Sequence, residues 1–80
     1  MLRLTDHVRQ RMAERRIPVS WVEAAVQSPD WTGRDNDPEL AHAFKEIADF
    51  GGRILKVVHR REGADILVVT AYFDRGARRP

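Results

Sequence analysis

The 80-residue chain contains no cysteine, so neither a disulfide framework nor a thiolate metal site can reinforce its core. A reducing, cytoplasmic location fits that composition. Serine is nearly as scarce: Ser20 and Ser28 are the only two, and a helix cap and a helix end account for them. No apolar run approaches the roughly 20 residues that a bilayer crossing requires, and the N-terminus lacks the hydrophobic segment of a secretory signal. Histidines occur at 7, 42 and 59 without companion ligands at a zinc-type spacing, so no metal and no cofactor is expected. Internal repeats and low-complexity segments are absent as well.

What is present suits one domain over residues 1–80, with a 42% hydrophobic content able to close a single small core. The net charge of +2 conceals an uneven distribution. Residues 1–19 carry five Arg against Asp6 and Glu14, residues 20–50 carry Arg34 and Lys45 against seven acids, and residues 51–80 carry seven basic groups against three acids. Two basic ends therefore flank an acidic middle. If the ends meet in the fold, their joint field attracts an anion such as a nucleic-acid backbone; a merely solvated charged surface is the competing explanation. Twelve of the fourteen basic residues are Arg, whose planar guanidinium suits bidentate phosphate contact, although a coding bias explains the same preference.

Local signals divide the chain into helices first and strands last. Thr5 is a good N-cap, Asp6 sits at the positive end of the helix dipole, and Val8 and Met12 form an apolar stripe, so a helix is expected from Asp6 to Arg16. Pro18 stops it. Ser20 and Glu23 form an S-x-x-E capping box for a second short helix, with Val19 stapled onto Ala24 and with Val22, Ala25 and Val26 inward. Residues 29–39 read as a loop with a brief strand around Trp31, and residues 40–48 carry both helix and strand signals. "RILKVVHR" and "DILVVTAYF" are two strands of an antiparallel hairpin turning at Gly63 and Ala64. Regular pairing from that turn places His59, Thr70 and Tyr72 on one face and Ile54, Val58, Leu67, Val69, Ala71 and Phe73 on the face packed by helices. Residues 75–80 form a mobile basic tail.

The opening H-x-x-x-R-M-x-x-R-x-I, the capping box and the closing "LKVVHRREGADILVVTAY" together resemble a family of small bacterial domains related to the RelE/ParE and BrnT-type toxins of toxin–antitoxin systems. That resemblance implies an α+β fold with two N-terminal helices packed on an antiparallel sheet of three to four strands. It also implies that "AHAFKEI" is a strand, and that reading is adopted over the local helix signal. Toxins of this broad class include ribonucleases that use no metal. The residues matching the pattern are His7, Arg11, Arg15 and Tyr72.

Metal-free RNA cleavage needs a base for the 2′-hydroxyl, cations for the developing phosphorane charge and an acid for the leaving 5′-oxygen. Histidine, with an unperturbed pKa of about 6.5, can serve as the base at neutral pH. The expectation is a proton-transfer role for His7 or His59, phosphate binding by Arg11 and Arg15, and an acid or positioning role for Tyr72. Arg9, Arg16, Lys45, Lys56, Arg60 and Arg61 are further candidates for nucleic-acid contact. Trp31 is a candidate for base stacking, whereas Trp21 in a short amphipathic helix reads as packing. The expected partners are RNA or the ribosome, an antitoxin protein, and a second copy of the chain, with no membrane. The alternative function is a non-catalytic nucleic-acid or protein-binding module.

Overall fold

A computed structural model describes residues 1–80. It is an α+β structure in which two helices cover one face of a five-stranded mixed sheet. In chain order these are β1 (Leu2–Leu4), α1 (Asp6–Glu14), α2 (Val19–Gln27), β2 (Trp31–Arg34), β3 (Ala41–Ile47), β4 (Arg53–Glu62) and β5 (Asp65–Phe73). The strands are ordered β1-β5-β4-β3-β2, with β1 parallel to β5 and every other pair antiparallel. The expected sheet of three to four antiparallel strands is thus extended by β1, a three-residue strand too short to show an alternating pattern. Residues 41–47 are a strand, because β3 lies between β2 and β4 and tertiary pairing outweighs the local helix signal there.

Helix α1 begins as its sequence dictates, with the Thr5 hydroxyl accepting a hydrogen bond from the Val8 N–H at 3.1 Å. It ends two residues before Arg16, in a Schellman motif. The Arg16 N–H donates to the Ala13 carbonyl and the Ile17 N–H to the Met12 carbonyl, while Arg16 adopts a left-handed φ of 58°. This turn swings Ile17 back into the core at 4% exposure. Helix α2 departs from the expected capping box. Pro18, in extended backbone, is its N-cap, the helix starts at Val19, and no side chain caps it. Proline's fixed φ sets the entry angle, so Ser20 lies one residue inside the helix and Val19 packs on the core instead of stapling.

The core lies between the helices and one sheet face, built from Val8, Met12, Ile17, Val22 and Ala25 above and Ala43, Ile47, Leu55, Val57, Val68 and Ala71 below. Leu55, Val22, Val57 and Val68 are fully buried, each worth roughly 1.5–3 kcal/mol of apolar burial. A second packing group forms where Trp21 meets Phe50 and Phe73, with the Phe50 and Phe73 rings 4.8 Å apart. Trp21 is therefore a packing residue.

The hairpin turns at Gly63 and Ala64 as expected, Gly63 taking φ 63° at a site where a side chain would be strained. Regular pairing holds for Arg61 with Ile66 and His59 with Val68, then shifts: Val58 pairs with Thr70, Lys56 with Tyr72 and Leu55 with Phe73. Val69 is the extra residue of a β-bulge. The expected faces change accordingly. Leu55, Val57, Val68, Ala71 and Phe73 pack toward the helices, whereas Val58 pairs with Thr70 outside the core cluster and Val69 is 41% exposed.

The left-handed Arg16 yields a direct prediction. Arg16→Gly removes the Cβ penalty at that position and raises stability by about 0.5–1 kcal/mol, read as a higher urea midpoint with an unchanged m-value. A lower midpoint would contradict the assigned backbone geometry.

Candidate functional site

The 1.5 Å rise per residue of an α-helix spreads His7, Arg11 and Arg15 over about 12 Å of one α1 stripe. The core-facing Val8 and Met12 fix how that stripe is oriented, and it comes to lie against β5. Strand β1 pairs with β5 only from Ile66 to Val68, so the edge of β5 beyond Val68 has no strand partner. There, a groove of about 320 Å³ opens between His7 and Arg11 on the helix, with Arg15 at its C-cap, and Val69, Thr70 and Ala71 on the strand. The Arg15 guanidinium donates to the Ala71 carbonyl at 3.0 Å, tying the end of the stripe to the strand edge. Arg11 lies 3.7 Å from Glu14, an exposed ion pair of the weak kind, and no carboxylate lines the groove. An imidazole and two guanidiniums thus face one recess that no carboxylate lines, Glu14 beside Arg11 being the one acid paired to them.

The remaining expected residues lie elsewhere. Tyr72 is across the sheet from the helices, its ring 5.6 Å from the Lys56 ammonium. That ammonium also lies 5.9 Å from the Phe44 ring, and Phe44 stacks on Trp31 with centroids 5.0 Å apart. His59 pairs with Ala41 and Val68, away from the groove. Burial, followed by the proximity of His42, holds its pKa below the ordinary histidine value of 6.5. His42 bonds Asp35 at 2.9 Å; the Asp37 N–H, then that histidine, hold the Asp35 carboxyl below its usual range.

Of the further basic candidates, Lys45 is occupied structurally, donating to the Ser28 carbonyl at 2.8 Å. Arg60 shares Glu62 with Arg3, at 3.1 and 2.7 Å. Arg9, Arg16 and Arg61 are exposed and outside the groove lining. Sequence reasoning missed the strand-side wall, Val69 to Ala71, because only the bulge and the shortness of β1 create it. No three His, Cys, Asp or Glu side chains gather into a cluster. No helix is long and apolar enough to cross a membrane.

Fold and groove define a small α+β domain whose first helix lays a cationic stripe along an open sheet edge. Residues 4–73 match the family described as Domain of unknown function (DUF4258), and the chain belongs to it. No curated protein and no solved structure matches the chain.

His59 and Asp35 each contribute to the acid response of the fold. Between the depressed pKa of His59 and 6.5, the unfolded chain binds the proton that the folded chain refuses, so stability falls as pH drops through that window. Asp35 has the opposite charge type and a lower window. Its stabilisation is complete above the unfolded value of 3.8 and disappears as pH falls through the depressed folded pKa. Urea midpoints measured from neutral pH down to about pH 5, in the range where histidine titrates, should decline for the natural chain and flatten for His59→Gln. Equal slopes for both proteins would refute the assignment.

Proposed function

We propose that this chain is a metal-independent endoribonuclease of toxin type, with the groove between α1 and β5 as its reaction site. The observation carrying this reading is that His7, Arg11 and Arg15 line one recess without a carboxylate. The resemblance of the opening and closing motifs to RelE/ParE and BrnT-type toxins supports it, as does the α+β arrangement of two helices on a sheet. A RelE-like fold, an RNA or ribosome substrate, an antitoxin partner and a cytoplasmic location belong to the same proposal.

The chemistry follows from the groups in the groove. His7 takes the proton from a ribose 2′-hydroxyl as O2′ forms its bond to phosphorus and the bond from phosphorus to O5′ breaks. Arg11 and Arg15 stabilise the charge that builds on the non-bridging oxygens. The departing O5′ takes its proton from water, because His7 is the only histidine in the lining and Tyr72 is across the sheet. The products are a 2′,3′-cyclic phosphate and a 5′-hydroxyl.

That single proton-transfer group also favours a second reading, a non-catalytic module that grips a nucleic-acid backbone through the same cations. Purified protein, alone or with ribosomes, is expected to cut RNA in the presence of EDTA. His7→Ala and Arg11→Ala each lower cleavage by about a hundredfold or more without shifting the thermal midpoint. Induced expression arrests growth for the natural chain and not for a variant carrying both His7→Ala and Arg11→Ala. Harmless expression, with salt-sensitive RNA binding and no product, would replace the nuclease by the module.

A further inference from the structure

Beyond Phe73 the chain makes a short turn beside the start of β4 before its exposed last residues. The Asp74 N–H donates to the Ile54 carbonyl at 2.9 Å, the Asp74 carboxylate accepts the Gly76 N–H at 2.9 Å, and the Arg78 guanidinium bonds the carbonyls of Arg75 and Ala77. The residues Asp74 to Ala77 thus form a hydrogen-bonded turn where the expected basic tail, residues 75–80, begins. Arg79 then lies 5.5 Å from the Trp31 ring and 3.9 Å from both Asp30 and Glu46. With the turn at the start of β4, this segment encloses a second groove of about 370 Å³, lined by Arg53, Arg75 and Arg78 together with Ile54, Phe73 and Asp74.

We infer that this second groove holds phosphates of the same single-stranded RNA whose cleaved phosphate occupies the α1–β5 groove. The inference rests on the nuclease or nucleic-acid-binding reading of that first groove. Three guanidiniums line the recess, and none lies within ion-pair distance of a carboxylate, so their charge is free for an external anion. The one acid in the lining, Asp74, is engaged by the Gly76 N–H. Arg53 has a defined seat, its guanidinium 4.9 Å from the Phe50 ring, and Phe50 is braced by Phe73. Position selects the ligand. Ala71 lines the first groove and Phe73 the second, both on the helix-facing side of β5, and two residues of strand span about 7 Å. A sugar-phosphate backbone of one or two nucleotides covers the stretch between those two wall residues. The first recess lies between α1 and β5 and the second at the end of β5 beside the start of β4, and two such separate recesses suit a flexible single strand tracked by cations, not a stiff duplex.

The test reads binding apart from cleavage, using fluorescence anisotropy with 2′-O-methyl oligoribonucleotides, which lack the attacking hydroxyl. The proteins are the natural full chain, an Arg53→Gln, Arg75→Gln, Arg78→Gln variant, and the corresponding triple Lys variant. For a decanucleotide, losing three phosphate contacts lowers the slope of log affinity against log salt by about 2.1 and weakens binding by about tenfold or more at low salt. The Lys variant retains most of the slope, which separates charge from folding, and a trinucleotide responds less than the decanucleotide. Identical slopes and affinities for the natural and Gln proteins would overturn the inference, as would a duplex of the same sequence binding as tightly as the single strand. If unmodified RNA is never cut while the slope still changes, the nuclease reading fails and the second groove stands. Cleavage with an unchanged slope keeps the nuclease and removes the second groove.

Discussion

Val68 and Ala71 are three residues apart on one strand, yet both are buried in the same core, an arrangement strict alternation forbids. The bulge at Val69 resolves the conflict by inserting one residue that has no partner on β4. Without it, either the half of β5 near the turn or the half near Phe73 would present the wrong side chains to the helices. Neighbouring β4 needs no such correction, since Leu55 and Val57 alternate regularly into the core. The whole sheet therefore keeps one apolar face because a single position on one strand gives up its place in the ladder. That same position lies at the lip of the cationic groove, so core packing and the shape of the recess share one cause.

The charge distribution along the chain becomes spatial through the topology. Parallel pairing of β1 with β5 brings the N-terminal segment beside the C-terminal strand, joining the two basic ends that the acidic middle separates in sequence. Of the acidic residues in the middle, Asp30, Asp35 and Glu46 sit on or beside β2 and β3, where they bond Lys45, His42 and Arg79. The lining of the first groove, on the β5 side, holds guanidiniums and no carboxylate, with only the exposed Glu14 paired to Arg11 beside it. Net charge is a poor guide to such a molecule; segregation of charge across the sheet is what sets the field an approaching anion meets.

Much of this was legible in local sequence, for identifiable reasons. The Thr5 cap, the Val8 and Met12 stripe, the Gly63 turn and the two long strands are short-range features decided within a few residues. The alignment of His7, Arg11 and Arg15 followed from helical periodicity alone, and all three do line one recess. What was not legible depended on distant partners. β1 exists because β5 offers an edge, β3 is extended because two strands flank it, and the bulge answers a packing demand set by helices fifty residues earlier. Assigning Tyr72 to the same side as His59 failed for that last reason, since the bulge lies between them in the pairing. The Ser20 box failed because a rigid Pro18 had already fixed the first turn of α2.

The bond from Arg15 to the Ala71 carbonyl has a bearing on how the molecule behaves in a crowded solution. Beyond Val68 the margin of β5 is a row of backbone groups that another extended chain could zip onto, and unprotected margins of this kind seed aggregation. A guanidinium clamped across that margin takes up one acceptor and leaves a bulky, hydrated cation in the path of any incoming strand. Arg15 is thus a wall of the recess and a cover for one acceptor of the open margin at once, so a change at that position alters both.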